Sequence, residues 1–114
     1  SAAAAAVLGG KLYVCGGLGD SSERLGLSER LDPDTGCWEQ LPSMLERRSS
    51  AAAAVIAGKL YICGGLGDDA QRLNSMERFD PHLLRWERLP PMSERRSYAA
   101  SAVLGGMLYI CGGF

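Results

Sequence analysis

Residues 1–48 and 49–96 align without a single gap, and 30 of the 48 paired positions are identical. The run from Leu12 to Asp20 returns from Leu60 to Asp68, and its opening returns a third time from Leu108 to Gly113. Trp38 and Trp86, Asp32-Pro33 and Asp80-Pro81, Leu41-Pro42 and Leu89-Pro90, and Glu46–Arg48 and Glu94–Arg96 keep the same spacing of 48. A fixed period of this length means an array in which each unit buries its apolar surface against the next. The sequence divides into one repeat over 1–48, a second over 49–96 and a partial third over 97–114, all belonging to one array.

Within a unit the local period is two. Four short extended runs are separated by turn residues. In the second unit, run A is Ala51–Ile56, B is Lys59–Cys63, C is Ser75–Phe79 and D is Trp86–Leu89. Gly9-Gly10, Ala57-Gly58 and Gly105-Gly106 suit tight hairpin turns between A and B. They also cut the alanine-rich run A too short for a stable helix. The expectation is all-β, with four-stranded antiparallel propeller blades in an incomplete ring: two full blades and a third A–B hairpin. Alanines on the inner strand fit where blades converge. Trp38 and Trp86 on the outer strand would fill volume where blades diverge.

Composition narrows the function classes. An apolar fraction of 46% argues against disorder, and the net charge of −1 gives no drive toward nucleic acid or an anionic membrane. No apolar run approaches the ~20 residues of a membrane helix. The opening Ser1–Gly10 lacks the basic flank of a signal peptide. Cys15, Cys63 and Cys111 recur one per unit, too far apart to pair, and read as small buried core thiols. Cys37 falls out of phase and reads as exposed. Free thiols suit a reducing compartment and a cytoplasmic protein. With no Cys-x-x-Cys and a single histidine, His82 in a turn, neither a metal site nor a nucleophile–base pair is indicated. The Gly-Leu-Gly-Asp runs do not open a helix, so they are not phosphate loops. No cofactor and no enzymatic activity are expected.

The diglycines Gly16-Gly17, Gly64-Gly65 and Gly112-Gly113, each after Leu-Tyr-hydrophobic, are the first of a set of ordered features. Glu29 and Glu77 before Asp-Pro, then Trp38 and Trp86, the Leu-Pro-x-Met runs, and Arg48-Ser49 and Arg96-Ser97 complete it. In this set the chain resembles the kelch family of β-propellers across its whole length. It departs at Leu31, where an aromatic is usual, and at Arg47 and Arg95, where proline is common before Arg-Ser. Two blades and a hairpin do not close a ring of about 4–8 blades. The expectation is a stretch of a longer chain. Self-association of copies is the other way to cover the open faces.

Strand alternation places the short A–B and C–D turns on one face and the long B–C and D–A loops on the other. Binding concentrates on such loops. The resemblance implies peptide binding on that face, with contacts after the diglycine (Leu18, Leu66, Phe114) and at the serine after arginine (Ser1, Ser49, Ser97). Neighbouring candidates are Asp20, Asp68, Asp69, Arg24, Arg72, Ser50 and Tyr98. Each D–A loop also carries two arginines, Arg47-Arg48 and Arg95-Arg96. One of each pair is expected to bridge to a glutamate between blades, and the other to offer its guanidinium to an acidic ligand. The resemblance further implies the substrate-recognition part of a BTB–kelch adaptor of a cullin-RING ubiquitin ligase, with the ligase machinery reached through domains outside this sequence. An actin-binding kelch scaffold is the alternative, and a kelch-scaffold enzyme a third.

Overall fold

The computed structural model describes residues 2–21 and 23–113. Ten strands of five residues each follow in order: β1 (Ala4–Leu8), β2 (Lys11–Cys15), β3 (Ser28–Asp32), β4 (Cys37–Leu41), β5 (Ala52–Ile56), β6 (Lys59–Cys63), β7 (Met76–Asp80), β8 (Arg85–Leu89), β9 (Ala100–Leu104) and β10 (Met107–Cys111). They form a four-stranded sheet β1-β2-β3-β4, a second β5-β6-β7-β8, and a two-stranded β9–β10 ladder. All pairings are antiparallel, and the registers repeat. Leu31 faces Trp38 across β3–β4 as Phe79 faces Trp86 across β7–β8. These are two propeller blades and a further hairpin, and the ring is not closed. The expected runs agree with the observed strands to within a residue at each end.

The three inner strands β1, β5 and β9 lie side by side. Their alanines permit this approach: Ala4, Ala52 and Ala54 are buried where bulkier side chains would push the blades apart. Ser101 Oγ on β9 donates to Ala53 O on β5 at 2.6 Å. The core between the blades is built from Tyr13, Leu41 and Met44 of the first blade and Leu60, Ile62, Phe79 and Trp86 of the second. Phe79 packs between Tyr13 and Trp86, with ring centroids 6.1 and 5.1 Å away.

Two expectations of uniform burial are corrected. Trp86 is buried and its Nε1–H donates across the blade boundary to Pro42 O at 2.8 Å. Trp38 is 50% exposed, because no blade packs against that face among the described residues. Cys15 and Cys63 are buried, but Cys111 is exposed, because β10 is the open edge of its sheet. Cys37 is exposed as expected, and so is His82, whose N–H donates to Asp80 Oδ1 at 2.8 Å within the turn.

Candidate functional site

The long-loop face is held by backbone contacts that the diglycines make possible. Gly17 N–H donates to Arg48 O at 2.7 Å, and Gly65 N–H donates to Arg96 O at 2.8 Å. The D–A loop therefore lies directly against the diglycine. A Cβ at Gly64 would stand 2.5 Å from Arg96 O, and one at Gly65 would stand 2.6 Å from Ser49 O. Both glycines also have positive φ, which a side chain disfavours. The B–C loop is fastened in turn: Leu66 and Ser49 exchange both backbone hydrogen bonds, at 2.7 and 2.9 Å, and Leu73 N–H donates to Gly65 O. A short 3₁₀ turn at Asp68–Ala70 forms the loop's tip, with Asp69 at φ 61°.

A buried ion pair joins the two blades beneath this face. Arg48, in the D–A loop leaving the first blade, donates from Nη2 to Glu77 Oε2 at 3.1 Å and from Nε at 3.2 Å. Its Nη1 donates to Gly64 O and Ser75 O, each at 2.9 Å. Glu77, on β7, also accepts the backbone N–H of Leu45 at 2.7 Å and of Glu46 at 3.3 Å. Both side chains are 1% exposed. Every charge here is compensated, which is the condition under which a buried pair is tolerated. The arginine thus touches both diglycines: its carbonyl holds Gly17 and its guanidinium holds the carbonyl of Gly64.

The candidate residues divide by depth. Arg48, Ser49 and Ser97 are buried and lie under the surface rather than on it. Ser49 Oγ accepts a hydrogen bond from half-buried Arg24 Nε at 3.1 Å. Leu18, Leu66, Ser50 and Arg96 are half-buried, and Arg96 Nη1 donates to Gly112 O at 2.8 Å, repeating the Arg48–Gly64 contact. Arg47, Arg95, Arg72, Asp20, Asp68, Asp69 and Tyr98 are exposed. Ser1 and Phe114 lie outside the described residues.

The structure brings Arg47 between two B–C loops. On one side it shares a groove of about 280 Å³ with Leu45, Asp68, Gln71 and Leu73. On the other it lines a groove of about 480 Å³ with Arg24 and Leu27. In both blades the D–A loop is tied to its own B–C loop by the backbone, Arg48 N–H donating to Leu25 O at 3.1 Å and Arg96 N–H to Leu73 O at 3.0 Å, and in the second Arg95 Nη1 also donates to Arg72 O at 3.2 Å. The smaller groove thus sets one guanidinium, Arg47, against the carboxylates of Glu46 and Asp68 beside exposed Leu45. Leu45 and Gln71 were not among the expected contacts. They occupy positions where the repeats differ, Leu45 against Ser93 and Gln71 against Glu23, so the repeat carries no signal for them.

A second set of contacts escaped the sequence reading. Arg30 on β3 donates to Glu39 Oε1 at 2.7 Å and to Tyr13 Oη at 3.0 Å, and Arg78 repeats this with Glu87 and Tyr61. Arg88 Nη1 reaches across the blade boundary to Glu46 Oε1 at 3.1 Å. Among the described residues no group of three or more His, Cys, Asp or Glu side chains could hold a metal ion. No helix among them is long and apolar enough to cross a membrane.

Comparison with known proteins places this architecture. The family model described as the KLHDC2/KLHL20/DRC7 Kelch-repeats domain matches residues 1–114. The solved "Structure of YjhT" superposes with a TM-score of 0.84 over 98% of this chain at 24% identity, a likeness of fold. The chain spans about a third of that structure's length, 34%. No curated protein matches.

Proposed function

Because this chain belongs to the kelch-repeat family represented by the KLHDC2/KLHL20/DRC7 domain, a class of protein-interaction propeller, we propose that its B–C and D–A loops form the face that takes a protein or peptide ligand. The observation that supports this most is the division of labour between adjacent arginines. Arg48 is buried in the blade lock, while Arg47 stands exposed in a groove between two loops. Arg95 repeats the exposed position 48 residues on. The proposed ligand is an acidic peptide, gripped by Arg47 and Arg95, with Arg72, Leu18 and Leu66 beside them. Arg96, Ser49 and Ser97 shape the seat from below. Asp20, Asp68 and Asp69 repel carboxylates placed out of register and so select its position.

In the complete protein this face is the substrate-recognition part of a BTB–kelch adaptor of a cullin-RING ubiquitin ligase, working in the cytoplasm without a cofactor and without catalysis of its own. The family's character as a protein-interaction propeller is what supports that reading. The test uses the complete propeller and arrays of immobilised acidic, neutral and basic peptides. Wild type should retain acidic peptides selectively, and Arg47→Ala with Arg95→Ala should lose about tenfold or more of that binding at unchanged melting temperature. Equal retention of basic peptides, or no effect of the double substitution, contradicts it. The adaptor role is tested separately, by binding of the complete protein to a purified cullin.

A further inference from the structure

The second blade holds Arg48 in a seat of three acceptors: the Glu77 carboxylate, Gly64 O and Ser75 O. One repeat of 48 residues earlier, the same positions are Glu29, Gly16 and Leu27. These three line one cavity of about 200 Å³ in the first blade. Glu29 is exposed there, and among the described residues its carboxylate has no hydrogen-bond or ion-pair partner. Its exposure follows from the open face of its sheet. The filled seat one repeat later identifies what belongs in it.

A second contact fixes the spacing of the occupant. In the second blade Trp86 Nε1–H donates to Pro42 O, six residues before Arg48 in the same incoming segment. Trp38 holds the equivalent position in the first blade and is 50% exposed. The complementary half appears at the far end of the array. Arg96 Nη1 donates to Gly112 O at 2.8 Å, as Arg48 Nη1 does to Gly64 O, yet no carboxylate among the described residues pairs with it. Each D–A loop delivers its arginine to the blade that follows. Arg48 precedes Ser49 and Arg96 precedes Ser97, and Ser1 stands 48 residues before Ser49.

We propose that the cavity at Glu29 is an arginine site, and that its occupant is the loop leading into β1 in the complete protein. That loop brings an arginine, directly before Ser1, to Glu29, Gly16 O and Leu27 O, and a carbonyl six residues earlier to Trp38. The chemistry of the seat selects this occupant. It presents one carboxylate and two main-chain carbonyls, acceptors that a planar guanidinium with five donors satisfies together and a compact ammonium does not. A neutral side chain would cover Glu29 and leave its charge alone, which is the costly arrangement for a buried carboxylate. The site joins blades, so it is independent of what the long loops bind.

The experiment uses the complete protein and measures melting temperature and mass in solution. Glu29→Ala, alanine in place of the arginine before Ser1, and the two together are compared with wild type. Each single substitution should lower the melting temperature by about 5 °C or more, and the pair should lower it by clearly less than the sum. Glu29→Gln keeps the shape and an acceptor oxygen. It should lose less, and it carries the comparison if Glu29→Ala does not fold. The mass should be that of a monomer throughout. A residue other than arginine before Ser1, a Glu29 variant that melts with wild type, or strictly additive losses overturns the proposal. So does a wild-type multimer that a Glu29 substitution dissociates, since Arg96 of a second copy would then fill the site.

Discussion

Arg48 of the first blade and Glu77 of the second meet at 3.1 Å with 1% of each side chain exposed, and among the described residues no other ion pair is buried on both sides. The pair fixes the D–A loop to the next blade. Glu77 holds the backbone of Leu45 and Glu46, and Arg48 holds the carbonyls of Gly64 and Ser75. Removing one partner leaves the other charge buried and alone. Arg48→Ala and Glu77→Ala should therefore each destabilise by about 3–5 kcal/mol. The double substitution should cost clearly less than their sum, because the two side chains share one network. Denaturant unfolding of the four proteins measures this. Strict additivity would show that the two residues act independently.

The diglycines are not interchangeable with the hairpin glycines. Gly58 has φ +75° in a turn with open space around its Cβ position. Gly58→Ala should cost only the left-handed strain, about 1 kcal/mol. At Gly64 or Gly65 an alanine meets the same strain and also a backbone carbonyl at 2.5–2.6 Å. Those substitutions should be markedly worse and should displace the D–A loop or Ser49. Similar losses at all three positions would mean that the loop is not seated on the diglycine.

The four thiols should separate in reactivity. Burial, with a smaller contribution from the Glu77 charge, pushes the Cys15 thiol up to about 12. Burial pushes Cys63 up to about 11, against the opposing charge of Arg48. Neither forms appreciable thiolate near pH 8, whereas Cys37 and Cys111 are exposed. Alkylation of the native protein followed by mass mapping should modify Cys37 and Cys111 first and reach Cys15 and Cys63 only on unfolding. Early modification of Cys15 would show that the blade core is open.

Acid should weaken the fold in a defined window. Burial alone would raise the Glu46 carboxyl, but the Arg88 hydrogen bond and the charges of Arg48 and Arg88 hold it below its ordinary 4.5. Backbone N–H groups of His82 and Leu83 hold Asp80 below its ordinary 3.8. Groups lowered in the folded state contribute stability above their unfolded values and lose it as pH falls through the folded ones. The melting temperature should stay flat from about pH 7 to 5 and fall below about pH 4.5. A rise on acidification would contradict these pairings.

The strands were legible because the repeat supplies every turn twice. Gly-Gly or Ala-Gly marks the A–B hairpin, and Asp-Pro marks the end of run C. The blade lock was legible only as an Arg–Glu bridge of unspecified members. Arg47 and Arg48 have the same charge and adjacent positions, and only the loop's path decides which of them turns inward. Trp38 and Trp86 look alike in sequence, yet one is half exposed and the other buried, because burial here depends on the neighbouring blade and not on the residue. The left-handed backbone at Ala2, Ser50 and Tyr98 left no mark in the sequence, since that conformation is usually signalled by glycine and none is present there.

The central claim is that two adjacent arginines have opposite roles, Arg48 holding the blades and Arg47 meeting the ligand. The most direct measurement prepares Arg47→Ala and Arg48→Ala separately in the complete propeller and records unfolding free energy and acidic-peptide binding for both. The account predicts that Arg47→Ala leaves stability within about 0.5 kcal/mol and weakens binding, while Arg48→Ala loses about 3 kcal/mol or more of stability. Destabilisation by Arg47→Ala, or an Arg48→Ala protein as stable as wild type, would contradict it.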